Sequence, residues 1–206
     1  MFSSRYQCKC RVSHIYIKVI NFRIGGVTVK IIGISGTLVG SKTKIITEIL
    51  LNEVKNQHPE FEVDMVDLKN FSLDFCDGRP LSQYNEETQG LISKLEKVDG
   101  YVLGTTIMHG SIPGALKNLF DLVPPSIFEG KPIVLVANGG NPEHSLAIEK
   151  HLKPITDYLK MKNLANYVFV TSKDFNLQNE MDNPDIQEQI RCLAKEYGEL
   201  LISAAN

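Results

Sequence analysis

The feature that most limits the fold is a strand pattern that feeds directly into a small-residue turn and then a helix. Val29 to Ile34 is apolar, Ser35-Gly36-Thr37-Leu38-Val39-Gly40-Ser41 is a turn, and Lys42 to Gln57 carries Ile45, Ile49, Leu50 and Val54 on one helical stripe. His58-Pro59 stops that helix. The alternation then repeats. Phe61 to Leu68 alternates apolar and acidic residues, as a strand near a sheet edge does. Helices are expected over about 86–97, 114–122, 145–159 and 185–204, and strands over about 100–104, 133–137 and 167–171. Five strands alternating with five helices predict one α/β domain, a parallel sheet with helices on both faces.

Three of these strands end in loops of small or hydroxyl residues. The first loop offers Ser35, Thr37, Ser41 and Thr43 together with Lys42 at the start of a helix. Backbone N–H groups of such a turn, and the positive end of the helix behind it, suit an anion such as phosphate. Gly40-Ser41-Lys42-Thr43 is close to the end of a nucleotide P-loop, but Ser41 separates Gly40 from Lys42 and no glycine stands five residues before Gly40. The loop after the third strand runs from Thr105 to Pro113, and the fourth strand breaks at Asn138-Gly139-Gly140. With strand order 2-1-3-4-5 the order reverses between strands one and three, where ligands of open parallel sheets bind beyond the carboxyl ends. All three loops then face one pocket, with phosphate at the first and a planar ring between the other two. A receiver domain is excluded, because the third strand ends in Gly104-Thr105-Thr106 and not in an aspartate.

Composition narrows the partners. At 206 residues the chain suits a single domain, residues 29–206. A net charge of −2 and a pI near 6.2 give no electrostatic case for nucleic acid, and no apolar run is long enough for a membrane span. Cys8, Cys10, Cys76 and Cys192 lack the density of a disulfide scaffold and read as reduced thiols of a cytoplasmic protein. Cys8-Lys9-Cys10 with His14 does not have the spacing of a zinc knuckle. Residues 1–28 form a basic extension. Its cations are Arg5, Lys9, Arg11, Lys18 and Arg23, it has no acid, and these five charges leave −7 on residues 27–206. The segment lacks the apolar core of a secretory signal. It reads as a disordered extension or as a start assigned too early, with translation expected to begin near Val27 or Val29.

The segment from Gly104 to Asp121 contains His109-Gly110-Ser111 followed by Pro113-Gly114-Ala115-Leu116-Lys117-Asn118 and Asp121. Together with the Ser-Gly-Thr loop and the Gly130-Lys131-Pro132 strand ending in Gly139-Gly140, it resembles the NAD(P)H-dependent FMN reductase family over essentially residues 29 to 205. The resemblance implies a flavodoxin-like fold, with FMN as cofactor and NAD(P)H as co-substrate. It implies that Ser35, Thr37, Ser41, Lys42 and Thr43 hold the FMN phosphate. Thr106, Ile107, Met108, His109, Gly110 and Ser111 would wrap the isoalloxazine edge, and Asn138, Gly139 and Gly140 would approach its polar side. Hydride transfer to flavin N5 needs orientation and an open stacking face and no catalytic triad. His109 is the one loop residue singled out as a candidate to touch substrate or flavin. Thr106 stands where proline is common and Met108 where tyrosine is. The usual arginine of the first loop is missing and the loop reads as one residue shorter, which leaves Lys42 or Lys44 to supply the charge.

The resemblance further implies a homodimer or homotetramer and a ping-pong route to a second small-molecule acceptor: free flavin, a quinone, or an azo or nitro compound. The alternative is a flavodoxin-type electron carrier with no NAD(P)H reaction of its own. Such carriers flank the flavin with aromatics, which these loops lack.

Overall fold

A computed structural model describes residues 28–205. The expectations for residues 1–27, including Cys8, Cys10 and His14, lie outside the described residues. Strands β1 (Lys30–Ser35), β2 (Glu62–Asp67), β3 (Gly100–Thr106), β4 (Pro132–Asn138) and β5 (Lys162–Val170) form one parallel sheet in the order β2-β1-β3-β4-β5, as expected. The three central strands are buried almost from end to end, which is why they read as unbroken apolar runs.

Helices α1 (Lys42–Gln57), α2 (Glu86–Glu96) and α3 (Gly114–Leu122) follow β1, β2 and β3, and a single turn, α4 (Pro125–Phe128), packs Ile127 and Phe128 inward. Helices α5 (Lys153–Tyr158) and α6 (Pro184–Ala205) follow β4 and β5. Two cores result. Ile31, Val102, Val134 and Val136 pack with α1 and α6 on one face, whereas Ile32, Ile34, Leu103 and Leu135 pack with α2, α3 and the residues leading into α5 on the other. The sheet is doubly wound.

Three elements differ from their sequence patterns, each for a physical reason. In α1 the buried stripe is Thr43, Ile46, Thr47, Leu50, Leu51 and Val54, with Ile45 and Ile49 on its flank, because two threonines take inward positions. Strand β5 begins at Lys162, well before the apolar run at Tyr167, because an edge strand tolerates the exposed Lys162, Ala165 and Asn166. The helix expected over 145–159 is broken. A 3₁₀ turn at Pro142–Ser145 and a π-helical turn at Ile148–Leu152 precede α5, and Pro154 lacks the N–H that a regular helix would use there.

Candidate active site

The loop between β1 and α1 is braced from within. Thr37 is buried, and its hydroxyl accepts from the Val39 amide at 3.3 Å and donates to the Val39 carbonyl at 3.2 Å. Gly36 donates to the Gly104 carbonyl at 2.7 Å, which ties the loop to the end of β3. A Cβ on Gly36 would stand 2.8 Å from Leu116 and 3.0 Å from that carbonyl, so a side chain there would have to push both back. Ser41 is exposed at the N-terminus of α1 and its side chain makes no helix cap. Ser35 is 1 % exposed, and its Oγ is the one buried side-chain polar atom among the described residues without a partner. By strand alternation it shares a face with Gly33, whose missing Cβ points at Thr47 and Leu51 of α1, so the hydroxyl lies under the start of that helix. Native proteins rarely leave such an atom unsatisfied, and here it is closed off from solvent as well.

The other two loops are stitched to the first. Thr43 Oγ1 donates to Asn138 Oδ1 at 2.5 Å, and Asn138 Nδ2 donates to Thr106 Oγ1 at 3.3 Å. Ile107, which is buried, donates its amide to the Asn138 carbonyl at 2.9 Å. Met108 and Ser111 then pair back to back at 2.8 and 3.0 Å around His109 and Gly110, whose φ values are 49° and 79°. That is a tight primed turn, strained at His109 because the residue is not glycine. Met108, His109 and Gly110 are exposed, as is Gly140, while Gly139 is packed against Phe169 and His144. No Phe, Tyr or Trp stands in residues 36–41, 106–112 or 138–141.

The structure therefore brings all fourteen candidate positions to the carboxyl end of β1, β3 and β4. Their side chains divide. Those of Thr37, Thr43, Thr106 and Asn138 are spent on protein partners, and Ile107 faces inward. Ser41, Met108, His109, Gly110 and Gly140 are open to a ligand. An open groove of about 670 Å³ between the amino-terminal halves of β1 and β2 and helix α2 is at the opposite end of the strands, where parallel sheets do not place their ligands.

Several residues at the site carry no sequence signal. Asn179, from the loop between β5 and α6, donates to Ser41 Oγ at 2.8 Å and accepts from Lys42 Nζ at 2.7 Å. Phe175 of the same loop lies under the Lys42 ammonium, 5.2 Å from ring centre to Nζ. Lys69, just beyond β2, donates to the Gly40 carbonyl at 2.6 Å. His151 Nδ1 is 2.9 Å from Ser111 Oγ. Asn118 of the Leu-Lys-Asn motif holds the long segment after β2, donating to the Asp74 carbonyl and accepting from the Cys76 amide, both at 2.9 Å. Lys117 pairs with Asp121 on the exposed face of α3, as its spacing of four suggests. Contacts separated by 29 to 138 residues cannot be seen in a local pattern.

A parallel 2-1-3-4-5 sheet with helices on both faces and small-residue loops after β1, β3 and β4 defines a flavodoxin-like protein. The chain belongs to the NADPH-dependent FMN reductase family, whose model matches residues 29–176. It is 46 % identical over 167 residues to the NAD(P)H-dependent FAD/FMN reductase of Geobacillus thermodenitrificans, covering 81 % of this chain and 90 % of that protein. It is 26 % identical over 167 residues to an NADPH-dependent FMN reductase of Pseudomonas aeruginosa, covering 81 % and 89 %. An oxidoreductase from Corynebacterium diphtheriae superposes with a TM-score of 0.69 at 20 % identity over 85 % of this chain and 98 % of that one, a likeness of fold. The chain is thus an oxidoreductase with FMN as its flavin and NAD(P)H as co-substrate.

Proposed function

We propose that this enzyme takes a hydride from NAD(P)H onto FMN held at the three strand ends, and passes the electrons by a ping-pong route to a second small-molecule acceptor. That acceptor is free flavin, a quinone, or an azo or nitro compound. The observation that carries the site assignment is the convergence of the three small-residue loops at the carboxyl ends of β1, β3 and β4, joined through Thr43, Asn138 and Thr106 at the head of α1. FMN, when bound, supplies the hydride-accepting N5. The chain's own residues bind and orient. Ser41, Lys42 and those amides of the loop that are not bonded within the protein receive the phosphate, while Ser35, buried at the end of β1, and Thr37 and Thr43 keep that loop in shape. Thr106, Ile107, Met108, His109, Gly110 and Ser111 form the wall along the ring edge, and Asn138, Gly139 and Gly140 let the ring approach backbone at its polar side.

Exposed Leu38, Val39, Met108 and Leu146 all stand on or next to the strand-end loops. They support a homodimer or homotetramer in which a second copy of this chain covers part of the flavin, with neither nucleic acid nor membrane as a partner. Sedimentation as a monomer at working concentration would remove that part of the reading. No described helix is long and apolar enough to cross a membrane. A cytoplasmic setting, with residues 1–28 standing outside the 29–206 domain, completes the proposal.

The test is anaerobic. Purified protein is expected to carry or take up FMN, and NADPH or NADH is expected to bleach its visible spectrum, with reoxidation by quinone or azo dye. Bleaching by dithionite alone would instead identify a carrier. Failure to bind FMN at micromolar concentration would defeat the proposal.

A further inference from the structure

We infer that Lys69 is a second cation, beside Lys42, that receives the FMN phosphate, in place of the arginine missing from the first loop; this rests on the site reading above. Of the two lysines in the first turn of α1, one is paired with a carboxylate and the other is partly engaged by the β5–α6 loop. Lys44 pairs along α1 with Glu48 at 3.6 Å. Lys42 is held by Asn179 and lies over Phe175. Lys69 comes from a different part of the chain. Because β2 pairs with β1 in parallel register, Ser35 beside Asp67, the residues that follow the two strands emerge side by side. A 3₁₀ turn at Leu68–Asn70, started by Asp67 accepting from the Lys69 amide at 3.3 Å, then sends the Lys69 side chain across to the first loop.

The ammonium arrives next to Ser41. Its contact with the Gly40 carbonyl uses one N–H, and among the described residues no carboxylate pairs with it. Two N–H groups are left for an anion at the loop. The need is local as well, since the Asp67 carboxylate, 9 % exposed, lies across from Ser35 and would repel a phosphate unless a cation offset it. Lys69 does so two residues later. Lys69 thus stands on the β2 side of the first loop, across it from Lys42 and Asn179.

The experiment measures binding of FMN and of riboflavin, which lacks the phosphate, by fluorescence titration of the whole chain. Lys69→Gln is expected to weaken FMN by about tenfold, the worth of one charge-assisted hydrogen bond, and to leave riboflavin unchanged. Lys69→Arg should keep most of the FMN affinity. Lys94→Gln is the charge-matched control, remote on α2 where Lys94 pairs with Asp64 at 2.7 Å, and should bind FMN as the parent does. The deficit of Lys69→Gln should narrow as salt rises from about 0.01 M to about 1 M, because screening shortens from about 30 Å to about 3 Å. FMN affinity unchanged in Lys69→Gln, an equal loss for riboflavin, or a deficit insensitive to salt would overturn the inference. Absence of FMN binding by the parent protein would defeat the site reading itself, a different and separately visible result.

Discussion

Gly104 shows how closely the first helix must sit on the sheet for the loop before it to reach its place. A Cβ there would stand 1.8 Å from Thr47 Oγ1 and 3.2 Å from the Thr43 carbonyl. Gly104→Ala should therefore cost about 1–3 kcal/mol by overpacking, read as a lower midpoint in urea. Thr47→Ala in the same chain should recover part of the loss, because the nearest clash is with that side chain. Ser41 is the opposite kind of position, exposed and free of any cap bond. Aspartate is a favourable N-cap, so Ser41→Asp should hold stability within about 0.5 kcal/mol while repelling a phosphate at the loop. FMN affinity should fall at least about tenfold with riboflavin unaffected, and unchanged FMN affinity would place the phosphate elsewhere.

Among the elements, the segment between β2 and α2 depends on a partner outside itself. It crosses 71–80 without regular structure, and Asn118 on α3 supplies two of the hydrogen bonds that hold residues 74–76 to that helix, the third running from Cys76 Sγ to the Asp121 carbonyl. Asn118→Ala should cost about 1–2 kcal/mol, since it leaves a part-buried amide and carbonyl without partners, and should speed protease cleavage within 70–84. A cleavage pattern identical to the parent would show that the latch is not needed. Here the motif was legible and its role was not. Leu116-Lys117-Asn118 stands out in the sequence, yet the helix face of Asn118 acquires meaning only when residues 42 to 44 positions earlier fold beneath it. Helices α1 and α3 matched their expected limits because Ser41, His58 and Pro113 punctuate them locally. The broken helix before α5 and the early start of β5 did not, because each depends on what lies beside it in space.

Across the whole molecule, two buried tyrosines set the alkaline limit of stability. Tyr101 donates to the Leu95 carbonyl at 2.8 Å, and Tyr197 is fully enclosed with its hydroxyl 3.4 Å from the Pro132 carbonyl. Burial pushes both phenols above their ordinary 10.0, with the Asp99 carboxylate adding to the effect at each. The unfolded chain releases these protons near pH 10 while the folded protein retains them, so their contribution is fully present below that pH and is lost as pH rises above it. Thermal midpoints should stay level from about pH 8 to about pH 10 and then fall steeply. Tyr101→Phe should lower stability at neutral pH by about 1 kcal/mol and flatten the alkaline fall; an equally steep fall would assign it to other groups.

What the sequence determined by itself is the class of fold, the family and the small-residue loops that end three of the strands. Strand and helix periodicity are local properties, and so are the small-residue turns at strand ends, so β1, β3 and β4 and the loops after them can be read one segment at a time. Only the tertiary structure decided how the side chains divide the work. Thr43 and Asn138 are 95 residues apart and satisfy each other, Asn179 reaches Ser41 across 138, and Lys69 reaches Gly40 across 29. Parallel pairing brings distant strand ends side by side, and a buried polar atom must then find whichever partner that pairing supplies.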